Sequence, residues 1–117
     1  MGNLTLGGTG KTPFVESLAR LLSEEGFLVC ILSRGHAAAR RREPLLVSDL
    51  RRIHAGPSIA GDEPHLLARR LPGVSVVVGA NRHQAGLFAL ERLPIHVFLL
   101  DDGFQHRALR RDLDIVL

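Results

Sequence analysis

Gly7-Gly8-Thr9-Gly10-Lys11-Thr12 is the stretch whose reading decides the fold. Three glycines within four residues let a backbone wrap closely around an anion, because no Cβ blocks the approach. An amphipathic helical pattern follows at once. A helix start aims unpaired N–H groups and a partial positive charge at whatever lies in front of it. A lysine and a threonine at the end of such a turn suit a polyphosphate and its magnesium ion. The full pattern G-x-x-x-x-G-K-[ST] calls for glycine at position 5, where Thr5 stands. The inner run is intact, and a glycine-rich turn that merely opens a helix is the lesser reading.

Working outward, Phe14, Leu18, Leu21 and Leu22 recur at helical spacing across residues 13–25. Pro13 is tolerated in the first turn, where its missing N–H costs nothing. Gly26 marks the stop. The apolar run Phe27–Leu32 predicts a strand covered on both faces. Residues 33–61 read as irregular apart from a short strand near Leu45–Val47. Then follow a helix over Asp62–Leu71 stopped by Pro72-Gly73, a strand over Val74–Val78, a helix over Asn81–Leu93 and a strand over Ile95–Leu100. Residues 103–112 read as a polar connection, and Asp114–Leu117 as the start of another strand. This alternation predicts an α/β fold of the P-loop NTPase kind, a mostly parallel sheet with helices on both faces. The 117 residues form one partial domain, expected to be truncated at both ends.

Composition narrows the function classes. Hydrophobic residues make up 45% of the chain, enough for a core and too many for a disordered segment. Cys30 is the single cysteine; it excludes an internal disulfide and reads as a small core residue. No apolar run is long enough to span a bilayer. The net charge is +3, and Lys11 is the only lysine among the basic residues. Arginines cluster at 40–42, 51–52, 69–70 and 110–111, a residue type suited to phosphate as well as to a solvated surface. The aromatic residues are all Phe, so no base-stacking platform, and no nucleic-acid partner, is expected.

A nucleotide site needs an acidic residue at a strand end. Val97-Phe98-Leu99-Leu100-Asp101 supplies it, with Asp102 directly after. Oxygen donors at the carboxyl edge of an open sheet suit Mg²⁺. Asp62, ahead of Glu63-Pro64, reads by default as a helix cap, or else as a base near a phosphate. Asn81 reads as a cap and Arg82 as a surface or site residue. His106 is a surface histidine or a phosphate contact.

Together, Gly2-Asn3-Leu4-Thr5-Leu6 with the glycine loop, Ser33-Arg34-Gly35, Gly61-Asp62-Glu63-Pro64, Arg82, Asp101-Asp102-Gly103-Phe104-Gln105-His106 and Arg111–Val116 resemble the tetraacyldisaccharide 4'-kinase family. Thr5 is that family's habit as well. The resemblance implies transfer of the ATP γ-phosphate to the 4'-hydroxyl of a tetraacyldisaccharide 1-phosphate, a lipid A precursor. It implies that Gly7, Gly8, Thr9, Gly10, Lys11 and Thr12 bind nucleotide, and that Thr12 and Asp101 hold Mg²⁺. It further implies that Asp62 is the base, assisted by Lys11 and Asp102, and that Arg82, Gln105 and His106 touch substrate or phosphate. The implied partners are ATP and an anionic glycolipid, with no obligate protein partner. The implied location is the cytoplasmic face of the bacterial inner membrane. Members are longer, with an apolar helix before and a second domain after, so the 117-residue stretch alone is expected to be inactive or nearly so. His36-Ala37-Ala38 replace the family's usual Tyr-Gly-Arg. The competing readings are a P-loop GTPase or ATPase of the metallochaperone or cofactor-synthesis type, and an inactive fragment.

Overall fold

The computed structural model describes residues 11–34 and 43–101. In chain order the elements are α1 (Lys11–Glu24), β1 (Val29–Ser33), β2 (Leu45–Ser48), α2 (Pro57–Ala60), α3 (Asp62–Arg70), β3 (Ser75–Val78), α4 (Arg82–Arg92) and β4 (Val97–Asp101). The strands form one sheet in the order β2-β3-β1-β4. β1 runs parallel to both β3 and β4, whereas β2 is antiparallel to β3 and carries an irregularity between Leu46 and Ser48. The expected mostly parallel α/β sheet is therefore present, with one antiparallel edge strand.

Residues of β1, β3 and β4 are buried on both faces, as parallel strands covered by helices must be. Alternation divides them between two cores. Val29, Ile31, Val76, Val78, Val97 and Leu99 pack with Val15 and Ala19 of α1 and Leu67 and Ala68 of α3. Cys30, Leu32, Val77, Phe98 and Leu100 pack with Ala85 and Ala89 of α4. So α1 and α3 cover one face and α4 the other. Cys30 is fully buried, as read from its apolar run.

The helix ends explain the chain's path. Gly26, at φ 98°, closes α1: its N–H reaches Ser23 O at 3.0 Å and the Phe27 N–H reaches Leu22 O at 3.0 Å. This paired capping pattern uses the left-handed conformation that glycine adopts without strain. The buried stripe of α1 is narrower than expected, because Leu21 is 54% exposed. It lies at the margin of the face that carries Val15, Leu18, Ala19 and Leu22. Phe27 is also exposed, so β1 begins two residues later than the apolar run suggested.

Two findings differ from the sequence reading between residues 33 and 62. A single-turn helix, α2, opens on Pro57 at its N-terminus. Asp62 is not a cap. Gly61, at φ 101°, occupies that position without any side-chain cap bond, and Asp62 is the first helical residue. Asn81 does cap its helix, its side chain accepting a bond from the Gln84 N–H at 3.0 Å.

Candidate functional site

Each parallel strand meets a helix that returns antiparallel to it across a short connection, and this places the helix starts. α1 precedes β1, α3 precedes β3, and α4 leaves the end of β3. The amino-terminal ends of all three helices therefore lie at the carboxyl edge of the parallel strands. Lys11, Asp62, Arg82, Ser33 and Asp101 share that edge. In open α/β sheets it is the edge where ligands bind.

Asp101 is the last residue of β4 and is only 7% exposed. Its strand parity matches Val97 and Leu99, which pack on the face covered by α1. A carboxylate thus extends an apolar face toward the start of α1, an arrangement with no value for core packing. Ser33 pairs with Asp101 across the β1–β4 register and is buried as well. Ser33 O also accepts the Gly79 N–H at 3.0 Å, which ties the ends of β1 and β3 together. A Cβ on Gly79 would meet the Ala85 Cβ at 3.1 Å, so a glycine lets α4 start close behind the sheet. Neither Ser33 as a pairing partner nor Gly79 as a close-approach residue was found by sequence reasoning. The signal present was a small residue at the end of each apolar run.

Arg82 opens α4 with its Nη1 atom buried, so this arginine is drawn inward and is not a free surface group. Asp62 is exposed at the start of α3. Asp62 and Glu63 occupy the first turn of that helix, and Arg69 and Arg70 the last, which complements its dipole. Gly7, Gly8, Thr9 and Gly10, and likewise Asp102, Gln105 and His106, lie outside the described residues. Lys11 and Thr12 are placed as the first two residues of α1. No cluster of three metal-ligating side chains occurs among the described residues. Asp101 supplies a hard oxygen donor at the strand end, which fits a magnesium ion.

A phosphate-loop sequence running into α1, at the carboxyl edge of a parallel sheet that ends in a buried aspartate, defines a P-loop kinase fold. Comparison with known proteins refines that class. The family model described as Tetraacyldisaccharide-1-P 4'-kinase matches residues 1–117, and the chain belongs to that family. The chain is 50% identical to the tetraacyldisaccharide 4'-kinase of Geobacter metallireducens over its whole length, covering 35% of that relative. It is 51% identical to that of Aquifex aeolicus, covering 36% of it. The chain thus spans about a third of the relatives it matches. A crystal structure described as the "apo" form of LpxK from Aquifex aeolicus in complex with ATP superposes with a TM-score of 0.74 at 50% identity. That match covers 89% of this chain and 32% of the other.

Proposed function

We propose that this chain forms the nucleotide-binding part of an ATP-dependent kinase that phosphorylates the 4'-hydroxyl of a tetraacyldisaccharide 1-phosphate lipid A precursor. The observation that carries the reading is a whole-chain match to the 4'-kinase family, joined to the meeting of Lys11, Asp62, Arg82 and Asp101 at one sheet edge.

In this reading residues 7–12 hold the triphosphate. Lys11 neutralises the β- and γ-phosphates. Thr12 and Asp101 would hold Mg²⁺, which supplies charge neutralisation on the phosphate oxygens when bound. Asp62 accepts the proton of the 4'-hydroxyl as its oxygen bonds to the γ-phosphorus. The bond from that phosphorus to the β,γ-bridging oxygen breaks, and ADP leaves. Arg82, at the start of α4, balances charge on the transferred group, with Gln105 and His106 as further contacts and Asp102 beside the metal-binding aspartate. Phosphoryl transfer asks for positioning and charge balance more than for covalent chemistry, and this residue set is of that kind.

The acceptor is an anionic glycolipid, so the reaction belongs at a membrane surface, and we place it at the cytoplasmic face of the inner membrane. Among the described residues no helix is long and apolar enough to cross a membrane; the full-length protein is assigned a peripheral or monotopic position there.

The test is phosphate transfer by the intact protein from ATP or GTP to tetraacyldisaccharide 1-phosphate, read as the bisphosphorylated product and as nucleoside diphosphate. ATP-dependent product that disappears in Lys11→Ala supports the reading. Nucleotide hydrolysis without lipid product, or a preference for GTP, overturns it.

A further inference from the structure

A cavity lies at the opposite end of the strands. It has a volume of about 270 Å³ and is framed by the β2–α2 connection, the carboxyl end of α3 and the turn into β3. Its walls carry three arginines, Arg51, Arg52 and Arg69, above an apolar floor that includes Ala68, Leu71 and Val74. The floor residues are almost fully buried, whereas the three arginines are exposed.

The loop that presents two of these arginines is built tightly. Asp49 Oδ1 accepts the backbone N–H of Arg51 at 2.7 Å and that of Arg52 at 2.8 Å. The Asp49 N–H donates to Arg52 O at 3.0 Å, and Asp49 Oδ2 meets His54 Nε2 at 2.8 Å. Among the described residues Asp49 is the only carboxylate on the cavity wall, and its oxygens are engaged by its own loop. It fixes the loop and, among the described residues, pairs with His54 and makes no ion pair with the arginine guanidinium groups. On the other wall Arg70 is bound to Glu16 at 3.1 Å, while Arg69 beside it has no such partner among the described residues. The ion pairs of this region therefore leave Arg51, Arg52 and Arg69 with unspent charge around one cavity.

We infer that this cavity binds a phosphate monoester carried on a small organic group. Three guanidinium forks offer the several donors that a dianionic phosphate can accept, and they do so from two separate walls. The carbonyls at the end of α3 oppose an anion, and Arg69 offsets them from the last turn. The volume is close to that of the smallest ligand pockets and exceeds the need of a bare ion. The apolar floor suits the organic part. Because the cavity lies at the amino-terminal edge of β3, remote from Lys11 and Asp101, it is independent of the nucleotide reading.

The test uses the intact protein and two probes, glycerol 3-phosphate in solution and phosphatidylcholine vesicles containing phosphatidic acid. Dissociation constants are measured by calorimetry for wild type, Lys11→Ala and the triple variant R51Q/R52Q/R69Q; cosedimentation follows the vesicles, with pure phosphatidylcholine as control. The expected result is binding that survives Lys11→Ala and weakens about tenfold or more in the triple variant, since several exposed charge contacts are lost together. The variant's thermal midpoint should stay close to wild type, because all three side chains are exposed. Binding of glycerol 3-phosphate alone assigns a soluble ligand, and binding of the vesicles alone assigns a lipid headgroup. Binding of neither probe, equal binding by the triple variant, or loss of binding in Lys11→Ala overturns the inference. The last outcome would place the phosphate in the glycine loop and leave the kinase reading intact.

Discussion

Ser33 and Asp101 lie opposite each other on the last rung of the parallel β1–β4 pair, both buried and both on the face covered by α1. A hydroxyl and a carboxylate thus end a face that is otherwise Val29, Ile31, Val97 and Leu99. The polar pair falls where that face reaches the amino end of α1. A buried carboxylate at that place is the group to which the proposed function gives a metal-binding role, because hard oxygen donors at a strand end suit Mg²⁺.

Asp101→Asn keeps the shape and removes the charge. Turnover in the lipid kinase assay should fall about a hundredfold or more, the usual cost of removing one preorganised electrostatic group from an active site. The thermal midpoint, measured alongside, separates loss of the charge at the site from loss of the fold. A variant that kept near-normal turnover would remove Asp101 from the metal-binding role.

Asn81 holds the start of α4, and so the position of Arg82 next to it. Asn81→Ala should lower unfolding free energy by about 1 kcal/mol in a urea titration, because the Gln84 N–H loses its acceptor. Asn81→Asp should restore most of it, since aspartate caps as well as asparagine. If cap loss also displaces Arg82, turnover falls in the alanine variant and returns in the aspartate variant.

Burial raises the Cys30 thiol from 9.0 to about 12, with a hydrogen bond to Ser75 working weakly in the other direction. The folded thiol stays protonated where an unfolded one ionises. Stability is therefore unaffected below about pH 9 and declines between 9 and 12, by up to about 1.4 kcal/mol per pH unit from this group. Cys30→Ala should remove that part of the alkaline decline in urea midpoints measured from pH 8 to 11. Alkylation of Cys30 at pH 8 should proceed only as fast as the protein opens.

The strands were legible because a run such as Val97–Leu100 has one physical use, a strand covered on both faces. α1 and α4 were legible from their periodicity and from the stop and cap residues Gly26 and Asn81. Asp62 was misjudged locally because aspartate before Glu-Pro resembles a cap. The residue that decides is Gly61, whose φ of 101° begins the helix one position earlier than the pattern suggests. α2 was missed because four residues carry no periodicity. The antiparallel direction of β2 is a tertiary choice that a four-residue apolar segment cannot encode. At the site, sequence paired the loop ending at Lys11 with Asp101 at a strand's carboxyl end, and joined Asp62 and Arg82 to them only through the family resemblance. That the starts of α3 and α4, and so Asp62 and Arg82, lie at the same edge follows from the strand order and direction, which the fold supplies.

Asp49 makes a prediction in the acid range. The hydrogen bond to His54, and then those from the Arg52 and Arg51 backbones, hold its carboxyl well below the usual carboxylate range. Folding therefore favours the charged form. The stabilisation is fully present above the pKa of an unfolded aspartate, near pH 4, and is lost as the pH falls below it. Asp49→Asn keeps one acceptor oxygen but loses the charge and the second acceptor. Urea midpoints of wild type and variant should differ most at pH 6 and converge toward pH 2. The same substitution releases the turn that presents Arg51 and Arg52, so glycerol 3-phosphate should bind the variant more weakly at pH 7, where the fold is retained. A constant gap between the two proteins from pH 6 to pH 2 would show that Asp49 acts through packing and not through its charge.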